Sequence, residues 1–468
     1  MVDSSTSAPA AGEAAKSAPK PQNPAMKMMG MPNFRFKLPS RNWMIFLTVA
    51  GSFTAALVYD RREKRRAQQK WCDLVAHLSK ETLPIEETRR KLTVFLAAPP
   101  GDGLRNARDH FKEYVKPILV AAAMDYNVVE GRREGDVRAA FAEQIRKQRR
   151  RAGEASTVVE EPTTQDVIEQ ARQAIGVRDE PGPRGDLILG RHTWKEYIRG
   201  LHEGWLGPLN PPQPIPVPAV EVPEVPTAEG NPPEQAEKKE PEEKKEEEKN
   251  KPTGPTPAYI APKDYPLQNL PPTLPQTLDS ATAINFPHLL GFLNTPIRIY
   301  RYLNQRYVAD SIGRDVAAVV LASYTQPYTD ASTAADVDAS PTLPTPVSAE
   351  PTTSPNTYTF QSQLQHEEAD WHKSVHKKDE ANPDREREWT DAMVLDPRIA
   401  SRIQRYVLPV EEEARAQRID AGEEYILGEK RPPPMSVSQK VWIKYGYGED
   451  PEVAKRKPIY GNIDGEDA

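Results

Sequence analysis

Cysteine occurs once in the 468 residues, at Cys72. One thiol excludes an intramolecular disulfide framework and a multi-cysteine zinc site. Its place just beyond an apolar run suits an inert side chain better than a nucleophile. Hydrophobic residues make up 37% of the chain, too few for a single packed core of this length. A strong charge excess is also missing, since 62 basic residues face 68 acidic ones. No nucleic-acid partner is expected from that balance, because such a partner calls for a basic domain or stripe. The phosphate-binding patterns GxxxxGK[ST] and GxGxxG are absent, as are GxSxG and the kinase catalytic signatures. No cofactor is expected.

Proline is abundant, with 48 residues. Each fixes φ and removes a backbone donor, so much of the length is linker. One core of about 200–250 residues, built discontinuously, fits the composition. Long uncharged stretches are scarce. The one that stands out is residues 42–59, NWMIFLTVAGSFTAALVY, between Arg41 and Asp60. At ~1.5 Å rise per residue it nearly matches the ~30 Å hydrocarbon core of a bilayer. It lies too far from the start for a secretory signal and is followed at once by RREKRR. It therefore reads as an uncleaved single-span anchor. Gly51 and Ala55, with Ser52 and Ala56 beside them, form a small-residue face suited to contact with another membrane helix. Basic residues flank both ends, and the larger cluster follows the run, a weak vote for retaining the C-terminal side.

The expected organisation is a disordered tail (1–41), a transmembrane helix (42–59) and a juxtamembrane helix (60–83). An α/β domain follows in two parts, 84–208 and 281–324, split by a disordered Pro/Glu/Lys-rich loop (209–280). A linker (325–357) leads to C-terminal helices and a short strand (358–468). Within the first part, KLTVFLA and YNVVE read as buried strands, each followed by a helix. That β-α-β-α order predicts a doubly wound parallel sheet. GDLIL reads as a third strand before a helix from Arg191. Residues 316–322 and 441–447 read as strands, and 360–378 and 389–408 as helices.

Two groups of residues invite chemistry. Gly101, Asp102 and Gly103 lie in a strand-to-helix turn, where backbone N–H groups are able to cradle phosphate. A plain turn is the simpler reading. Glu368, His372 and His376 fall at i, i+4 and i+8 on the helix expected over 360–378, a spacing that would let them hold zinc. The nearby Lys373, Lys377 and Lys378 oppose a cation, so a solvated face is favoured.

The segments KLTVFLAAPPGDGL, DYNVVEGRREGDVR, GDLILGRHTWKEYIRGLHEGWLG, FPHLLGFLNTPIRIYRYLNQRYVADSIGR and EREWTDAMVLDPRIASRIQRYVLP follow the span in order. Together they resemble the fungal Tim fifty-four family, subunits of the mitochondrial carrier translocase. The resemblance implies a non-catalytic, single-pass protein of the mitochondrial inner membrane with a large C-terminal domain in the intermembrane space. It implies partners: the channel-forming and other translocase subunits, small intermembrane-space chaperones, hydrophobic carrier precursors, the inner-membrane AAA protease and membrane lipid. That placement opposes the weak charge vote. A more distant likeness links the soluble part to diacylglycerol kinases. Gly190 and Thr193 match a Gly and the Thr of their GGDGT-type nucleotide loop, but Arg191 and His192 stand where Gly and Asp are needed. The likeness implies a degenerate kinase-like scaffold; the alternative function is a membrane-anchored lipid kinase.

Overall fold

The computed structural model describes residues 40–84, 86–158, 164–180, 184–211, 257–328, 359–377, 386–426 and 435–446. The expected tail before residue 40, most of the 209–280 loop, nearly all of the 325–357 linker and the acidic end lie outside them. The chain divides into two units, Met1–Val58 and Tyr59–Ala468.

Helix α1 spans Arg41–Val75 without interruption. The separate juxtamembrane helix expected over 60–83 is thus part of one element, which closes in a 3-10 turn, Ala76–Lys80. No Pro or Gly stands between Ser52 and Lys80 to break it. Among the described residues it is the one helix long and apolar enough to cross a membrane. In the first unit its large apolar side chains are open, Phe46 at 60% and Val58 at 67% exposure. The hydroxyls in this stretch donate to the helix's own carbonyls, Ser52 to Val49 and Thr54 to Ala50, each at 2.9 Å. These hydroxyls are thus met within the helix, which is what a lipid surround requires.

In the second unit a four-stranded, all-parallel sheet carries the fold. After the two-residue β1 (Glu87–Thr88) come β2 (Lys91–Ala97) and β3 (Asp125–Gly131). Between β2 and β3 run α2 (Leu104–His110), a π-helical turn (Phe111–Val115) and α3 (Lys116–Ala121). Next come α4 (Asp136–Arg151), α5 (Thr164–Ile175) and β4 (Arg178–Asp179), which pairs with β1. Strand β5 (Gly185–Leu189), α6 (Arg191–Leu206) and β6 (Ser280–Ile284) complete the sheet, in the order β3-β2-β5-β6.

Side chains alternate across a strand. Leu92, Val94 and Leu96 of β2, with Leu187 and Leu189 of β5, enter one core; Phe95, Ala97 and Ile188 enter the other. Helices cover both faces, so the strands read as continuous apolar runs. The first core receives α2, the π turn, α3 and the end of α1 through Trp71, Leu74 and Val75. It also receives α8 (Gln305–Leu321), which follows α7 (Thr295–Tyr302). Gly313 of α8 lies so close to the Trp71 ring that a Cβ would overlap it, and Trp71 Nε1 donates to Asp310 at 2.9 Å. The second core receives α4 and α6.

Several expectations are corrected. Residues 316–321 end α8 rather than forming a strand. Their apolar run is buried nearly all round, where periodicity does not separate helix from strand. Residues 257–280 of the loop expected over 209–280 are ordered, and Ile260, Tyr265, Leu274 and Leu278 enter the second core. After β7 (Thr325–Pro327), helix α9 (Thr359–Ala369) stops short of residue 378. The helix expected over 389–408 is instead a loop, the short α10 (Pro397–Ala400) and β8 (Gln404–Tyr406), which pairs antiparallel with β7. Asp396 caps α10 through Arg398 N, and Pro397 bars an α conformation before it. After α11 (Val410–Ala421), the expected strand at 441 is helix α12 (Val437–Tyr445), opened by a Ser436–Gln439 capping box. Tyr447 of that expectation lies outside the described residues.

Candidate functional site

In an open parallel sheet, ligands bind outside the carboxyl ends of the strands where the order reverses. Here that point lies between β2 and β5, and the two glycine turns singled out from the sequence flank it. Gly101 has φ +84°, a left-handed conformation that favours glycine, and its open side faces Leu290. Asp102 turns back on its own loop. Its Oδ1 accepts from Gly103 N at 2.7 Å, and its side chain also meets Asn106. His288 Nε2 lies 3.5 Å from its other oxygen. The N-terminus of α2 is thus met by the chain's own carboxylate.

The second turn is closed more firmly. Gly190, at φ +85°, donates to Ile284 O at 2.9 Å. A side chain there would strike His192 and Phe286. His192 is buried and donates from Nε2 to Ala97 O at 3.2 Å, tying α6 to the end of β2. Burial lowers its pKa to about 4, so the ring is neutral. Thr193 is buried, and its hydroxyl has no hydrogen-bond partner among the described residues. Above them sits α9. Glu367 accepts from Arg191 N at 2.8 Å and from Phe286 N at 2.9 Å. Its carboxylate takes the place a phosphate would occupy at the positive end of α6. Glu368 lies 2.7 Å from Arg191 Nε and 2.9 Å from Lys195 Nζ. Trp371 covers the same Lys195, its ring centroid 5.6 Å from Nζ.

Glu368, His372 and His376 therefore do not share a helix face. Helix α9 ends at Ala369, Glu368 serves two cations, and His372 Nδ1 meets Ser374 Oγ at 2.7 Å. Among the described residues no group of three His, Cys, Asp or Glu is placed to hold a metal. In the membrane run, Gly51, Ser52 and Ala55 are exposed and Ala56 half-buried. Cys72 is half-buried against the first core.

Glu367 and the α4 cap were not foreseen. Gly135 offers no side-chain cap to α4; Glu196 of α6 supplies one, accepting from Val137 N at 3.0 Å and from Trp389 Nε1 at 2.6 Å. Burial raises Glu196 from 4.5 to about 8, and Glu367 and Glu388 to about 7. Burial, with the nearby Asp279 charge, raises Asp186 from 3.8 to about 7. The folded chain thus holds protons over a range where the unfolded chain has lost them. The buried His110, His192 and His202 fall from 6.5 to about 4 and act oppositely, an effect that fades as pH rises past 6.5. From pH 6.5 to about 8 the acids dominate, and stability is expected to fall as pH rises. Thermal unfolding midpoints across that range check this, and Glu196→Gln should flatten the slope. A midpoint that rises with pH there would contradict it.

The family described as Inner membrane protein import complex subunit Tim54 matches residues 23–406. A protein of Aspergillus oryzae named mitochondrial import inner membrane translocase subunit tim54 is 66% identical over 448 residues, covering 93% of this chain and all of its own length. The Neurospora crassa protein of that name is 46% identical, covering 87% of this chain and 86% of its own. The Candida albicans protein is 35% identical, covering 64% of this chain and 83% of its own. With the match running from before the membrane run to the end of the β7–β8 pair, the chain belongs to the Tim54 family of inner-membrane protein import complex subunits.

Proposed function

We propose that this chain is a non-catalytic subunit of the mitochondrial carrier translocase, anchored by one span with its large domain in the intermembrane space. There it supports insertion of multispanning carriers alongside the channel-forming subunit, receiving hydrophobic precursors from the small soluble chaperones. A second role, helping the inner-membrane AAA protease assemble, goes with the same placement. Gly51, Ser52, Ala55 and Ala56 are the face offered to a neighbouring membrane helix.

The observation that carries the non-catalytic reading is Glu367. It fills the switch-point crevice from inside the chain, bonded to two backbone N–H groups. His192 occupies the space beneath it, against Ala97 O. A nucleotide would have to displace both. The strand-and-turn order still supports a scaffold related to diacylglycerol kinases, but no feature of the crevice favours a lipid kinase over an adaptor. Depletion tests the proposal. Assembled carrier proteins should fall several-fold while presequence-directed import continues. Equal loss of both routes would contradict it.

A further inference from the structure

Helix α7 has no buried residue, an unusual state for an amphipathic helix in a domain with two well-filled cores. Just before it, Phe292 and Leu293 are each 90% exposed. Their exposure is built in. Gly291 turns the chain at φ +108°, Asn294 Nδ2 donates to Leu290 O at 2.7 Å, and Thr295 Oγ1 donates to Phe292 O at 2.5 Å. Within α7, Ile297 and Tyr300 stand open at i and i+3, and Ile299 and Tyr302 are exposed beside them. Between Ser280 and Ala309 there is no acidic residue, while Arg298, Arg301 and Arg306 are present. Arg301 meets Asp370 at 2.8 Å and Arg306 meets Asp60 at 3.3 Å, whereas Arg298 forms no ion pair among the described residues.

Position completes the pattern. Arg61 Nη2 reaches Tyr302 OH at 3.4 Å, Asp60 accepts from Gln305 N at 3.2 Å, and Arg306 lies 5.4 Å from the Tyr59 ring. Residues 59–61 are the covalent end of the apolar run. Whatever is tied to them is held within reach of the bilayer surface. Exposed Arg62 and Arg65 add positive charge one turn further on.

We propose that residues 291–307 form a second membrane contact, lying on the bilayer surface with Phe292, Leu293, Ile297 and Tyr300 among the upper acyl chains and Arg298 among anionic phospholipid headgroups. Tyrosine and arginine at the edge of an apolar face are the composition of an interfacial element. Its place beside the end of the apolar run favours lipid over a protein partner. The proposal rests on the anchorage reading of residues 42–59.

Amide exchange on the full chain in nanodiscs tests it. Discs are made of phosphatidylcholine alone, or of phosphatidylcholine mixed equally with phosphatidylglycerol. In the mixed discs, residues 295–302 should exchange at least about fivefold more slowly than in the Phe292→Asp/Leu293→Asp variant, with β2 unchanged between the two. Arg298→Glu should lose the extra protection that phosphatidylglycerol gives. Equal exchange in wild type and variant overturns the proposal, and retention in the disc keeps the anchor separate from that failure. A photoreactive group at position 293 gives an independent reading. Adducts with lipid support the contact, and adducts with protein alone overturn it in favour of a docking face.

Discussion

Glu203→Ala is expected to destabilise the soluble unit by about 3–5 kcal/mol, because it takes a carboxylate from two buried arginines and leaves one of them with only a half-exposed partner. Glu203 sits on α6 with its side chain 1% exposed, facing Arg138 and Arg146 of α4, each 3% exposed. Arg146 Nη2 lies 2.6 Å from Glu203 Oε1, and Arg138 Nη1 lies 2.5 Å from Oε2. Burial alone would raise the Glu203 carboxyl, but the two arginines hold it below its ordinary range. The same carboxylate accepts from Tyr259 N at 3.1 Å, and the Tyr259 ring lies 3.7 Å from the Arg146 guanidinium. One side chain thus pins α4, α6 and the start of the segment leading into β6. Arg138 keeps Glu388, whereas Arg146 keeps only the half-exposed Glu143 three residues away. Glu203→Gln should cost less, since it preserves volume and one acceptor. Denaturant unfolding of the purified chain measures both. A loss under about 1 kcal/mol for Glu203→Ala would mean that water reaches this cluster, placing it with exposed ion pairs.

The parts of the fold that were legible in the sequence are those where one period dominates. Leu92 to Ala97 and Leu187 to Leu189 are strands buried on both faces, and their unbroken apolar character announces it. Strand β6 was not legible. Ser280–Ile284 reads SATAI after a proline-rich stretch, yet it pairs along its whole length with β5. Small side chains suffice there because α6, α8 and residues 257–278 fill the space around the strand. Helix α12 carried a usable signal, Ser436 with Gln439 three residues on, that its aromatic residues outweighed.

The site was legible in outline only. Both glycine turns stand where the sequence placed them, at the ends of β2 and β5. What fills the crevice comes from far along the chain. Glu367 meets Arg191 across 176 positions, a distance no local pattern spans. The histidine spacing after Glu368 misled for a related reason. It assumes that the helix continues, whereas the chain turns at Asp370 to bury Trp371.

The membrane run carries the most weight. Its first-unit side chains, Trp43, Ile45, Phe46, Val49 and Val58 among them, stand open over a helix whose Thr48, Ser52 and Thr54 hydroxyls are turned to its own carbonyls. Each such side chain gains about 1.5–3 kcal/mol on leaving water, so a lipid surround would stabilise this stretch. Acidic residues at its middle should reverse that balance, at about 2.5–3.5 kcal/mol each. Alkaline carbonate extraction of mitochondrial membranes measures the outcome directly. The intact wild-type chain should stay in the pellet, and Val49→Asp/Phe53→Asp should move it to the supernatant. An intact wild-type chain recovered from the supernatant would contradict the anchor.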